Sequence, residues 1–153
     1  WPVKSGEAAP QTSGMVDTVT NGTGTIGYAD ASRAGALSVA RIKVGNRFAK
    51  PTAKAAAAAV NASPRLTGDG RAAHDWTIAL DRTAADGGYP IVLLSYAIAC
   101  QKYLDPGTGE RVRAYLGYVA SEEGQQDAVR TAGMAPLPAK LSAEIEAAIA
   151  TIS

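Results

Sequence analysis

The stretch that most constrains the fold is Gly87-Gly88-Tyr89-Pro90-Ile91-Val92-Leu93-Leu94-Ser95-Tyr96-Ala97-Ile98-Ala99-Cys100, the longest apolar run in the chain. Gly87-Gly88 punctuates its start. Pro90 sits near its first residue, where a missing N–H costs a strand least. Alternation puts Val92, Leu94, Tyr96, Ile98 and Cys100 on one face and Ile91, Leu93, Ser95, Ala97 and Ala99 on the other. Both sets are largely apolar, which predicts a strand buried on both sides in a sheet covered by helices. A buried helix is the competing reading; the β-branched residues and the Gly-Gly and Pro flank favour the strand.

The rest of the chain alternates helix and strand signals without an internal repeat. Ser13 is placed to cap a short helix carrying Val16 and Val19, ended by Asn21-Gly22. Thr25-Ile26-Gly27-Tyr28 reads as a short strand, and Asp30 or Ser32 as the cap of a further turn through Ala36. Val39, Ile42 and Val44 form a second extended segment closed by Gly45-Asn46. Thr52 caps a helix with five consecutive alanines, ended by Ser63-Pro64. Trp76, Ile78 and Leu80 alternate within an ambiguous stretch. Asp105-Pro106-Gly107 reads as a turn, with Thr108 capping a helix whose Val112, Tyr115, Leu116 and Val119 share a face. Ser121 caps the next helix, with Glu122 and Glu123 in its first turn and Gly133 at its end. The last helix, entered through Pro138, buries Leu141, Ile145, Ala148, Ile149 and Ile152.

Composition excludes several classes. The chain has 153 residues and 46% hydrophobic content, enough for one domain or two small lobes. Its 15 basic residues are scattered and nearly balanced by 14 acidic ones, so nothing points to nucleic acid. No stretch approaches transmembrane length. One histidine, His74, and one cysteine, Cys100, rule out a zinc cluster built from those types. His74 lies in a polar, glycine-flanked region, and no G-x-S-x-G elbow exists to make it part of a triad. Cys100 reads as a small buried hydrophobe, or as a thiol that once paired with a cysteine elsewhere.

Gly22-Thr23-Gly24-Thr25-Ile26-Gly27 matches G-x-G-x-x-G, but a dinucleotide site needs a strand before the glycines and a helix after them. Here a helix precedes, and the acidic residue expected about twenty positions on is absent. The motif reads as a glycine-rich turn. Asn21-Gly22-Thr23 and Asn61-Ala62-Ser63 are glycosylation triplets, meaningful only in a eukaryotic secretory pathway. Glu122 and Glu123 are adjacent on a helix and do not face each other, so they read as a solvated first turn. Tyr115 and Tyr118 read as core and groove residues. No catalytic residue, metal ligand or cofactor site is expected.

Three stretches taken in order carry a resemblance. They are Thr20-Asn21-Gly22-Thr23-Gly24-Thr25-Ile26-Gly27-Tyr28-Ala29-Asp30; Gly88-Tyr89-Pro90-Ile91 through Cys100-Gln101-Lys102-Tyr103; and Val112-Arg113-Ala114-Tyr115-Leu116-Gly117-Tyr118 with Gly124-Gln125 and Gly133-Met134-Ala135-Pro136-Leu137-Pro138. Together they resemble the phosphate-binding proteins of bacterial phosphate ABC transporters. The cysteine-containing stretch is most similar to versions from high-GC Gram-positive bacteria.

The resemblance implies an α/β, two-lobed periplasmic-binding-protein fold of type II, and a non-enzymatic role in which inorganic phosphate is captured and delivered to an ABC permease. It implies an extracellular or cell-surface lipoprotein, periplasmic in Gram-negative relatives. Family members are longer, and this chain resembles their C-terminal half. Its start at Trp1-Pro2-Val3 is that expected of a processed or truncated product. The family's phosphate ligands precede the position matching Trp1, so the ligand-binding residues are unknown here and none is carried over; Gly6 and Ser13-Gly14 offer only a generic helix start. By the same mapping residues 1–86 are the remaining part of lobe two and 87–153 the crossover strand and C-terminal helices of lobe one. Missing strands would leave edges that pair with the absent N-terminal half or with a second copy of the chain. The alternative is a self-sufficient secreted structural or interaction module, of inhibitor or antimicrobial type, reusing this half-fold.

Overall fold

The computed structural model describes residue 3, residues 5–83 and residues 88–153. The expected lobe boundary between residues 86 and 87, and Gly87 itself, lie outside the described residues. The chain forms two compact units, residues 1–40 and 41–153.

In the first unit, α1 spans Gln11–Asn21 and a single 3₁₀ turn spans Ala31–Arg33. Helix α1 begins two residues before the expected Ser13 cap, because Pro10, at φ −74°, already sets the entry. Gly14 makes that start possible: a Cβ there would lie 3.0 Å from the Pro10 ring. Met15, Val16 and Val19 are half-buried, and no residue of α1 is fully buried. The 3₁₀ turn follows Asp30, as its sequence signal indicated.

The expected strand at Thr25–Tyr28 does not form; Ile26 is 88% and Tyr28 79% exposed. Instead the glycine-rich loop folds back on α1. Thr25 Oγ1 donates to the Val19 carbonyl at 3.1 Å. A Cβ on Gly27 would come within 2.7 Å of Met15 Sδ and 2.8 Å of Val19 Cγ2, so any larger residue would have to displace those side chains. No strand among the described residues lies beside Thr25–Tyr28 to satisfy its backbone, and the loop packing wins.

The second unit opens on a hairpin. Strands β1 (Ile42–Val44) and β2 (Arg47–Ala49) pair antiparallel, with Ile42 opposite Ala49 and Val44 opposite Arg47. Gly45 takes φ +56° and Asn46 is not in the positive-φ region, the pattern of a two-residue turn with glycine first. Helix α2 (Ala53–Asn61) starts at Thr52, whose hydroxyl accepts from the Ala55 N–H at 3.2 Å. It ends where Ser63 Oγ donates to the Ala59 carbonyl at 2.7 Å. Ala59 is buried, since alanine lets the chain approach the helix closely.

Beyond α2 the chain doubles back: Leu66 N–H donates to Thr77 O and Ala79 N–H to Pro64 O, each at 2.9 Å. The Arg65 guanidinium lies 3.7 Å over the Trp76 ring. Asp75 fixes the return. Its carboxylate accepts from Thr77 Oγ1 at 2.6 Å and Thr77 N–H at 2.9 Å, and pairs with Arg71 at 2.7 Å. The Thr77 hydroxyl bond first, then its N–H, lowers the Asp75 pKa from 3.8 to about 2. A folded-state value below the ordinary one means that Asp75 adds stability present above 3.8 and lost as the pH falls toward about 2. Replacing Thr77 with Val is expected to return the Asp75 titration toward the ordinary value. An NMR titration of that carboxyl in which Thr77→Val left the midpoint unmoved would contradict this origin.

Three helices complete the unit: α3 (Pro106–Ala120), α4 (Glu122–Ala132) and α5 (Ala139–Ile149). The cap of α3 is Asp105 rather than Thr108. Its carboxylate accepts from the N–H groups of Gly107 and Thr108, and Pro106 occupies the first helical position, where its missing N–H costs nothing. Ser121 ends α3 and caps α4, its Oγ accepting from Gly124 N–H at 3.1 Å. Gly133, at φ +64°, closes α4 with paired bonds to Val129 and Ala128 carbonyls. Ser142 Oγ then donates to Ala120 O at 2.8 Å, tying α5 to the end of α3. Ala120 and Ile152 are buried here. Leu141, Ile145, Ala148 and Ile149 are half-buried, as the spacing indicated.

Candidate functional site

The apolar run departs most from its expected structure. Residues 88–100 are neither helical nor part of a sheet, so the doubly buried strand is not formed within this chain. Ile91 is 63%, Leu93 88% and Ile98 97% exposed, whereas Val92 and Leu94 are half-buried. Over residues 91–94 this two-residue alternation is that of an extended chain; residues 95–100 are all exposed. Its ends are held. Tyr89 N–H donates to Ala55 O at 2.9 Å. The Arg82 guanidinium donates to the Pro90 and Val92 carbonyls. At the other end Ser153 N–H donates to Gln101 O at 3.0 Å and Tyr103 N–H to Ser153 O at 2.7 Å. Between these anchors, the N–H groups of residues 91–99 donate no hydrogen bond among the described residues. A strand's bonds come from its neighbours, and no neighbouring strand is present among the described residues.

Cys100 ends this segment as a free, exposed thiol, which overturns the buried reading. Its N–H donates to Tyr103 Oη at 3.1 Å. Burial of Cys100 was inferred from burial of the strand, and fails with it. His74 is exposed in the loop before Asp75. Glu122 and Glu123 are exposed in the first turn of α4, as read.

Tyr115 and Tyr118 are not core residues; they are 68% and 47% exposed. Tyr118 serves as a staple between helices, its hydroxyl donating to Asp127 Oδ2 at 2.6 Å. That bond holds the Asp127 carboxyl below its usual range and raises the Tyr118 phenol. Sequence spacing gave no signal for this pair, because the angle between α3 and α4 creates it.

Two concave features lie along α1. One depression of about 460 Å³ is lined by Gln11, Thr12, Ser13, Val16, Asp17, Asp30 and Arg33. Ser13 thus reaches a helix-start hollow, yet two carboxylates face it against one guanidinium, a poor balance for a multiply charged anion. A second, of about 320 Å³, is lined by Glu7, Asp17, Thr18, Asn21 and Gly22, so its charged side chains are both acidic. Gly22, Gly24 and Gly27 form the loop that packs on α1, without a following helix at the glycines. Among the described residues no three His, Cys, Asp or Glu side chains gather to hold a metal ion. No helix among them is long and apolar enough to cross a membrane.

The mixture of helices and short β-pairings is consistent with part of an α/β periplasmic-binding-protein fold. The chain belongs to the PBP superfamily, whose domain model matches residues 1–123. Within that class it is similar to the phosphate-binding protein PstS 2 of Mycobacterium tuberculosis (strain ATCC 25618 / H37Rv), at 40% identity over 72 residues. That match covers 47% of this chain and 19% of the relative. It is also similar to the phosphate-binding protein PstS 3 of Mycobacterium leprae (strain TN), at 32% identity over 77 residues, 50% of this chain and 20% of the relative. The aligned part is thus about a fifth of either relative's length. No solved structure matches the chain.

Proposed function

We propose that this chain is part of the phosphate-binding component of an ABC uptake transporter, with the phosphate ligands supplied by polypeptide other than these residues. The observation that carries the reading is the 40% identity over 72 residues to a mycobacterial phosphate-binding protein. The order of the three sequence stretches that resemble the same family supports it. The role is capture and delivery of inorganic phosphate to a permease, without chemistry on the substrate, at the cell surface or outside the cell. In this reading residues 1–86 belong to one lobe and 87–153 to the other.

The electrostatics of the hollows support placing the ligands elsewhere. Phosphate needs convergent N–H donors, hydroxyls or a bidentate guanidinium. The depressions along α1 hold hydroxyls and, in one, Arg33, but each also carries two carboxylates that repel a multiply charged anion. Isothermal titration of the 153-residue chain with inorganic phosphate is expected to show no saturable heat up to about 1 mM, a free energy weaker than about −4 kcal/mol. Tight binding at one phosphate per chain would show that the ligands are in these residues after all.

A further inference from the structure

We propose that Asp69 is a site of spontaneous isoaspartate formation, and that the fold reverses the order in which two labile pairs react, sparing Asn21-Gly22 and leaving Asp69-Gly70 open. Both pairs share one chemistry. The glycine backbone nitrogen attacks Cγ of the preceding side chain and closes a succinimide ring. Asn loses ammonia in this step and Asp loses water. Water then opens the ring at either carbonyl, giving an aspartyl or an isoaspartyl link. Asp69 thus keeps its atomic composition but gains a methylene in the main chain. In an unstructured chain near neutral pH the Asn pair reacts first, because a carboxyl must be protonated before its oxygen can leave as water.

The structure restrains Asn21-Gly22. Asn21 is the last residue of α1, and Gly22 N–H donates to Thr18 O at 3.1 Å. The attacking nitrogen is thereby committed to the helix end. Thr25 packs over the same glycine: a Cβ on Gly22 would lie 2.3 Å from Thr25 Cγ2, and Thr25 Oγ1 donates to Val19 O at 3.1 Å. Ring closure therefore requires α1 to fray and the glycine-rich loop to lift.

At Asp69-Gly70 these restraints are missing. Residues 66–74 are exposed, with a turn at Asp69 and Gly70. Among the described residues the Asp69 carboxyl takes part in no hydrogen bond or ion pair, and Gly70 N–H donates to nothing. Gly68, at φ +139°, and Gly70, at φ +83°, flank Asp69, and a Cβ at either glycine would meet nothing within 4 Å. The nitrogen and the carboxyl are free to approach, with no side chain on either neighbour to hinder the backbone rotation. The added methylene would fall in the loop closed by the bond from Leu66 N–H to Thr77 O.

The inference is independent of the phosphate reading. It is tested by incubating the whole chain near neutral pH, folded and, in parallel, unfolded in guanidinium chloride, followed by trypsin digestion and fragmentation mass spectrometry that distinguishes isoaspartate. Cleavage after Arg65 and Arg71 isolates Asp69 on the peptide Leu66–Arg71, apart from Asn21 and from the further pair Asp86-Gly87. In the folded chain isoaspartate is expected to accumulate at Asp69 while Asn21 keeps its amide. Unfolding is expected to speed Asn21 deamidation at least about tenfold and to put it ahead of Asp69, since the reaction then no longer waits on local opening. A folded chain that deamidates at Asn21 as fast as the unfolded one, or that modifies Asn21 before Asp69, would overturn the proposal.

Discussion

Replacing Gly124 with Ala is expected to destabilise the chain by about 3 kcal/mol or more, although alanine is the better helix former. Gly124 is buried in the first turn of α4. A Cβ at this position would lie 2.0 Å from the Tyr118 carbonyl oxygen and 2.9 Å from the carbon behind it. That oxygen cannot retreat cheaply, because it accepts from Ser121 Oγ at 2.7 Å and Ser121 N–H at 3.1 Å. Ser121 is the single residue between the two helices in the chain, so the clash falls where the backbone has least freedom. The contrasting position is Gly117 in α3, where a Cβ would meet nothing within 4 Å. Gly117→Ala is expected to stabilise by about 0.5–1 kcal/mol, by removing the entropy glycine loses on folding. Thermal unfolding should lower the Tm by roughly 6–12 °C for Gly124→Ala and raise it slightly for Gly117→Ala. Equal effects at the two glycines would show that the α3–α4 corner is not where this packing places it.

The helices were legible because their signals are local. Thr52, Ser121 and Gly133 each act through bonds to residues within five positions, and all three stand where the sequence put them. Asp105 was misjudged within the same logic: Asp-Pro-Gly is a turn signal, yet Asp caps and Pro starts a helix equally well. The strand at Thr25–Tyr28 and the run from Gly88 to Cys100 were not legible as they stand, because a strand depends on partners remote in sequence. Apolar alternation reports what a segment is suited to pair with, and here the partner is not among the described residues. The exposure of Cys100, and of Ile91, Leu93 and Ile98, follows from that single absence.

The superfamily was legible through an ordered set of weak motifs rather than through a site. Gly22, Gly24 and Gly27 illustrate why. Their spacing imitates a phosphate-binding loop, but the preceding helix and the contact of Gly27 with Met15 make them a packing turn. The Tyr118–Asp127 staple carries shifted titrations without facing a hollow, so it belongs to helix packing rather than to a ligand. What was missed in the sequence is thus structural: a tyrosine read among core and groove residues that fastens two helices together.

Gly109→Ala is expected to release the chain's last residues from the end of the apolar segment. Gly109 is buried in α3, and a Cβ there would lie 2.6 Å from the Ser153 carbonyl carbon and 3.0 Å from its oxygen. Ser153 is the residue that exchanges backbone bonds with Gln101 and Tyr103. Arg113, one turn along α3, adds a bond to Ile152 O at 3.0 Å, and Ile152 is 7% exposed. The glycine therefore lets α3 press against a backbone pairing that fixes where the extended segment ends. Because the last residues can move away more easily than the Tyr118 carbonyl can, the expected cost is smaller than at Gly124, about 2 kcal/mol, and local. Hydrogen exchange should accelerate at the Tyr103 and Ser153 amides by at least about tenfold, while α2 and α4 amides keep their protection. The segment would then be held at Tyr89 but not at Tyr103. Unchanged protection at Tyr103 would mean that the segment's end is positioned by α3 itself and not by its pairing with Ser153.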